Sequence, residues 1–284
     1  MNWKRVLYRL VNSAITIIIG VAIGLWALLY FAQDQLIFFR QPAPDAPPYS
    51  ADLAISEVRI ATHDGVSLRG WLARPAAAAS SERLPLAIYF GGNAEEVSYM
   101  AASAGRLPGW SLLAVNYRGY GGNPGNPSER ALFADALALY DWAAGRPEID
   151  PTRVAAIGRS LGSGVAVYLA AERPIARLVL VTPYDSLRAV AQRHYPYLPV
   201  SFLLKHPFDS IGRAPRISTP ILVVAAQRDS IVPPEHARAL FTQWRGPKTW
   251  REFAGAGHND LDADPEYWKA IAAFLAEGKE GEAS

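Results

Sequence analysis

Val154-Ala155-Ala156-Ile157-Gly158-Arg159-Ser160-Leu161-Gly162-Ser163-Gly164 runs from four apolar residues, through a serine fenced by glycines, into a run of small residues. The order reads as strand, sharp turn, helix. In that context Gly-x-Ser-x-Gly is a nucleophile elbow. Such a turn holds the serine in a strained backbone conformation, and only residues without bulky side chains fit beside it. That accounts for Gly158 and Gly162. The Ser160 oxygen is then expected at the carboxyl end of the strand and the N-terminus of the next helix, where the dipole favours developing negative charge.

The bare pentapeptide is a weak signal; its meaning depends on partners. An activated serine needs an acid and then a histidine downstream, each at a strand end. Asp229 follows the apolar run 221–225, and His258 follows 250–253 inside Gly255-Ala256-Gly257-His258-Asn259-Asp260. These three are the expected triad. Asp185, after the run 178–181, is the rival acid, and its neighbours Thr182-Pro183-Tyr184 read as a turn. His63, His194, His206 and His236 are weaker bases by position, and Asp260 and Asp262 read as loop or capping residues. An oxyanion hole needs two backbone N–H donors. Leu161, after the nucleophile, is one candidate; Asn93, in the loop Gly91-Gly92-Asn93-Ala94, is the other.

Working outward, residues 84–90, 111–117, 154–157, 178–181, 221–225 and 250–253 are apolar runs without alternation. Separated by helical patterns, they predict an α/β fold: a mostly parallel central sheet with helices on both faces. Residues 57–61 and 66–73, joined by His63-Asp64-Gly65, predict an antiparallel hairpin at its start. Ser128 predicts the cap of a helix to about residue 144, and a last helix is expected over 265–276. Between 187 and 218 the pattern breaks into an aromatic, proline-rich and basic segment (Arg188, Arg193, Lys205, Arg213, Arg216), read as a small cap over the site. Its basic surface suggests anionic lipid head groups or an anionic substrate; a solvated connection fits equally.

Residues 14–32 form an uncharged apolar run long enough to cross a bilayer of about 30 Å. Lys4, Arg5 and Arg9 precede it, which by the positive-inside rule keeps the N-terminus cytoplasmic and sends the rest to the extracytoplasmic side. A cleaved signal peptide is the alternative, disfavoured by the length of the run and by the poor cleavage site Tyr30-Phe31-Ala32. Gly20 and Gly24 read as glycines of a membrane helix rather than as a dimer face. The expected division is a cytoplasmic segment 1–13, a transmembrane helix 14–32, a linker 33–52, a catalytic domain 53–278 with its cap at 187–218, and a tail 279–284. Pro42, Pro44, Pro47 and Pro48 suggest a stiff tether reaching up to ~30 Å. Leu36, Ile37, Phe38 and Phe39 fit either lipid or the domain surface.

Composition excludes several classes. A net charge of +2 is too small to argue for nucleic acid. The absence of cysteine removes thiol catalysis, disulfides and Cys-ligated zinc. Half the residues are apolar, which suffices for a large core.

Gln35-Leu36-Ile37-Phe38, Asn116-Tyr117-Arg118-Gly119-Tyr120-Gly121, the elbow through Gly164, and Asp229-Ser230-Ile231-Val232-Pro233 carry a closer likeness. From residue 84 through His258 the chain resembles the α/β-hydrolase superfamily. Within it, the chain resembles the small-cap, N-terminally membrane-anchored branch that includes depalmitoylase-like and serine aminopeptidase-like hydrolases. Members usually carry His-Gly-Asn in the oxyanion loop. Gly91-Gly92-Asn93 stands there instead, which puts loop rigidity and the identity of the donor at issue. The resemblance implies acyl transfer to Ser160 from an ester or thioester of a small molecule or lipid, with no metal or organic cofactor. An aminopeptidase-like amidase and a non-catalytic membrane-bound scaffold are the competing expectations. The oligomeric state is left open.

Overall fold

The structure is a computed structural model, and it describes residues 3–79 and 81–277. The expected tail at 279–284 lies outside the described residues. The elements in order are α1 (Trp3–Ile37), β1 (Leu53–Ala61), β2 (Ser67–Pro75), β3 (Leu84–Phe90), α2 (Ser98–Ala102), β4 (Ser111–Val115), α3 (Glu129–Ala144), β5 (Ile149–Arg159), α4 (Leu161–Glu172), β6 (Arg177–Val181), α5 (Leu187–His194), α6 (Val200–Leu203), β7 (Ile221–Ala226), α7 (Pro234–Gln243), β8 (Lys248–Phe253) and α8 (Pro265–Ala276).

One sheet has the order β1-β2-β4-β3-β5-β6-β7-β8. β1 and β2 form the expected antiparallel hairpin, turned at Gly65 with φ +82°. β2 meets β4 antiparallel, and every later pairing is parallel. The mostly parallel sheet expected from the apolar runs is therefore present. Its central strands read as continuous apolar segments because both faces are covered. β5 shows how: Val154 and Ala156 join the core under α3, α4 and α7, while Ala155 and Ile157 join the core under α2 and α8. Successive side chains on a strand point to opposite faces, so one run feeds two cores.

α3 starts as expected, with the Ser128 hydroxyl accepting from the Ala131 N–H at 3.2 Å. β5 starts at Ile149, earlier than the apolar run at 154, because Ile149 pairs with Leu84 before a register shift. The polar residues between do not read as strand.

The N-terminal segment differs most from expectation. α1 is continuous over 35 residues, so residues 33–37 extend the helix instead of opening a linker. Gln33, Asp34 and Gln35 are followed by no helix breaker until Pro42. This is the one helix among the described residues long and apolar enough to cross a membrane, compatible with a single-pass anchor or a signal sequence. Beyond it the chain lies along the domain and does not hold it at a distance. Phe38 is buried in the core, the Phe39 N–H donates to the Asn93 carbonyl, and the Gly121 N–H donates to the Gln41 carbonyl. Burying one phenylalanine side chain is worth roughly 1.5–3 kcal/mol, which favours docking over an extended, solvated tether. Leu36 and Phe39 remain outside, more than half exposed.

Candidate active site

The elbow places the serine. Ser160 sits between β5 and α4 with φ +50°, a conformation rare for a residue with a side chain. Two glycines make the turn possible. A Cβ on Gly162 would lie 2.1 Å from the Phe90 carbonyl oxygen, and one on Gly158 would lie 2.5 Å from the Gly162 carbonyl oxygen. The Ser160 N–H donates to the Val181 carbonyl at 2.9 Å, which ties the turn to the end of β6.

The structure brings Ser160, His258 and Asp229 together. His258 Nε2 is 2.9 Å from Ser160 Oγ, and His258 Nδ1 is 2.6 Å from Asp229 Oδ2. All three residues are buried. An ionised carboxylate only accepts, so Nδ1 carries the proton and Nε2 is left to accept from the serine hydroxyl. The other Asp229 oxygen accepts from the Ile231 and Val232 N–H groups at 2.9 and 2.7 Å, which fixes the carboxylate after β7. The histidine loop is closed by the Gly257 N–H donating to Asp260 at 2.6 Å, the loop role expected of Asp260.

The rivals have other partners, although His194 lines the same cavity as Ser160. Asp185 accepts from the Ser186 N–H and contacts His236 Nδ1 at 2.9 Å. His206 Nδ1 accepts from the Glu129 N–H, and its Nε2 is 3.0 Å from Asp34. His194 Nε2 is 2.9 Å from the Ile231 carbonyl.

The oxyanion candidates face the same space as the serine. Ser160, Leu161 and Asn93 line one cavity of about 570 Å³. Leu161 is the first residue of α4, where N–H groups have no partner within the helix. The loop before α2 is held by hydroxyl groups. Tyr120 donates to the Asn93 carbonyl at 2.7 Å, and Tyr117 donates to the Gly91 carbonyl at 2.9 Å. Glu95 completes it by accepting from the Gly92 N–H at 2.7 Å. A Cβ on Gly91 would lie 2.6 Å from Val97 Cγ1 and 3.3 Å from the Glu95 carboxyl carbon. The space beside that backbone therefore belongs to Val97 and Glu95.

Glu95 and Arg159 are the residues sequence reasoning missed. Glu95 also accepts from the Tyr89 and Tyr99 hydroxyls, both at 2.6 Å, and from Arg159 Nη1 at 2.9 Å. The Arg159 Nη2 reaches Asn259 Oδ1 at 2.7 Å and the His258 carbonyl at 3.4 Å. One buried carboxylate and one arginine thus connect the oxyanion loop, the elbow and the histidine loop. Burial, and then Glu95, hold both tyrosine hydroxyls well above the usual phenol range, so they stay neutral donors. Burial alone would lower the Arg159 guanidinium; Glu95 and the tyrosines outweigh it and keep it above its ordinary value. The only sequence signal was a long charged side chain in the middle of a tight elbow.

The cavity walls are mostly apolar. α5, α6 and the segment between them supply Leu187, Val190, Val200 and Leu203; the loop after β7 supplies Ile231 and Val232; α1 supplies Leu29, Leu36 and Ile37. None of the basic cap residues lines it. Arg213 stacks over Phe133 and Tyr168, and Lys205 lies 4.6 Å above the Tyr30 ring.

Comparison with known proteins gives a family and a fold. The model of the acetyl xylan esterase (AXE1) family matches residues 118–276. An uncharacterized protein of Mycobacterium tuberculosis is 40% identical over 248 residues, covering 87% of each chain. The alpha/beta hydrolase domain-containing protein WAV2 of Arabidopsis thaliana is 27% identical, covering 90% of this chain and 91% of its own. Among solved structures, the acetyl xylan esterase from Paenibacillus sp. R4 superposes with a TM-score of 0.69 at 22% identity, covering 82% of this chain and 86% of its own.

Proposed function

The chain belongs to the α/β-hydrolase superfamily and, within it, to the acetyl xylan esterase (AXE1) family, and from that premise we propose that it is a membrane-anchored serine hydrolase of acyl esters or thioesters. The observation that carries the reading is the chain of contacts from Ser160 through His258 to Asp229. His258 Nε2 takes the Ser160 proton as Oγ attacks the substrate carbonyl. Asp229 holds the imidazole tautomer and stabilises the imidazolium. The Leu161 and Asn93 N–H groups receive the oxyanion, each donor worth roughly 10²–10³ in rate. As the tetrahedral adduct collapses, His258 returns the proton to the leaving oxygen or sulfur. Water, deprotonated by His258, then releases the acid and restores Ser160. Each step uses the chain's own side chains and backbone.

The apolar cavity beside Ser160 favours an acyl chain, with an acyl lipid among the candidate substrates. Its lining contains no aspartate or glutamate to receive a substrate ammonium, which disfavours an aminopeptidase. A scaffold has no use for three coupled catalytic groups. Fluorophosphonate labelling tests the reading: wild type is expected to label and Ser160→Ala not. Equal labelling of the two, or none of wild type, overturns it.

A further inference from the structure

α1 does more than precede the domain. Leu29, Gln33, Leu36 and Ile37 recur at helical spacing on one face of it, and all four line the cavity that contains Ser160. Leu29 and Ile37 are half-buried, and Gln33 is buried although the apolar part of the helix is not.

Gln33 fixes this arrangement. Its amide nitrogen donates to the Leu203 carbonyl at 2.9 Å as well as to the Tyr30 carbonyl, and its Oε1 accepts from the Lys205 N–H at 2.7 Å. Asp34 adds a contact to His206 Nε2 at 3.0 Å. A buried amide with both ends engaged sets one register between helix and cap, because a slip leaves polar groups unpaired at about 1–3 kcal/mol each.

We propose that this end of α1 is the specificity-determining wall of the acyl pocket, with Leu29 and Ile37 setting the longest acyl chain the site accepts. The proposal rests on the reading of the chain as a serine acyl hydrolase. It gives the N-terminal helix a place in substrate selection beyond anchoring. The cap lines the same cavity through Val190 and Val200. The cavity is bounded mostly by apolar side chains, so length is discriminated by volume. In such a pocket one methylene too many or too few costs roughly tenfold or more.

The test uses the full chain in detergent micelles and p-nitrophenyl esters from acetate to dodecanoate. The quantity read is the ratio of kcat/KM for long over short esters, which does not depend on the fraction of folded enzyme. Leu29→Trp fills the pocket and is expected to lower the decanoate-to-acetate ratio by about tenfold or more. Leu29→Ala and Ile37→Ala enlarge it and are expected to move the preferred length upward. Leu28→Trp, on the exposed face of α1, is expected to keep the wild-type profile. Profiles of the Leu29 and Ile37 variants that match wild type overturn the wall while leaving the hydrolase reading intact. A wild type that turns over no ester and takes no fluorophosphonate removes that reading, and this proposal with it.

Discussion

Asp229 engages both carboxylate oxygens, one with His258 and one with two backbone N–H groups, whereas Asp185 faces His236. Distance therefore separates two aspartates that sequence position leaves as rivals. Asp229→Asn keeps the shape but lets the amide donate where the carboxylate accepted, which favours the wrong imidazole tautomer. Turnover is expected to fall by roughly 10⁴, the scale known for that change in a triad. Asp185→Asn is expected to leave turnover of the same ester within a small factor of wild type. Steady-state kinetics of the two variants check the assignment, and a large loss with Asp185→Asn alone reverses it.

Three loops meet at the site, and Glu95 with Arg159 is what joins them. Glu95→Gln keeps the volume but removes the charge that Arg159 faces and leaves one amide nitrogen where an oxygen accepted. Displacing the oxyanion loop by as little as about 1 Å costs up to 10²-fold in rate. The expected result is a kcat lower by about 10- to 100-fold with KM little changed; a loss confined to KM contradicts the brace. This part of the site was not legible in the sequence, and the reason is distance along the chain. Glu95 and Arg159 are 64 positions apart, so their pairing is a product of the sheet order and not of any local pattern. The strand ends bearing Ser160, Asp229 and His258 were legible, because a buried parallel strand is a local apolar run and its loop starts where the run stops. The hydropathy of α1 reveals its length but not its neighbours, so the docking of Gln33 is not legible in it, while for Phe38 the domain surface stood as one of two alternatives and is the one observed. The first half of β5 escaped because Asp150-Pro151-Thr152-Arg153 carries no apolar signal.

At the scale of the whole molecule the question is which side of a membrane the domain would occupy if α1 anchors it. α1 offers a long apolar surface that the fold leaves largely uncovered, and apolar surface left in water costs about 25 cal/mol per Å². A bilayer would remove that cost over the run 14–32. Orientation then follows from charge. Lys4, Arg5 and Arg9 lie before the run, while Asp34 and Arg40 follow it. Cytoplasmic loops retain lysine and arginine, so the positive-inside rule predicts an N-terminus inside and a domain outside. The contacts of Tyr30, Gln33 and Asp34 with Lys205, Leu203 and His206 bring the cap to the end of that run. Two reporters fused in turn to the C-terminus read the outcome. A phosphatase that works only outside the cytoplasm is expected to be active, and a fluorescent protein that matures only inside it is expected to be dark. The reverse pattern overturns the orientation. Replacing Lys4, Arg5 and Arg9 together by glutamine is expected to weaken the bias and yield a mixed population, because little other positive charge flanks the helix.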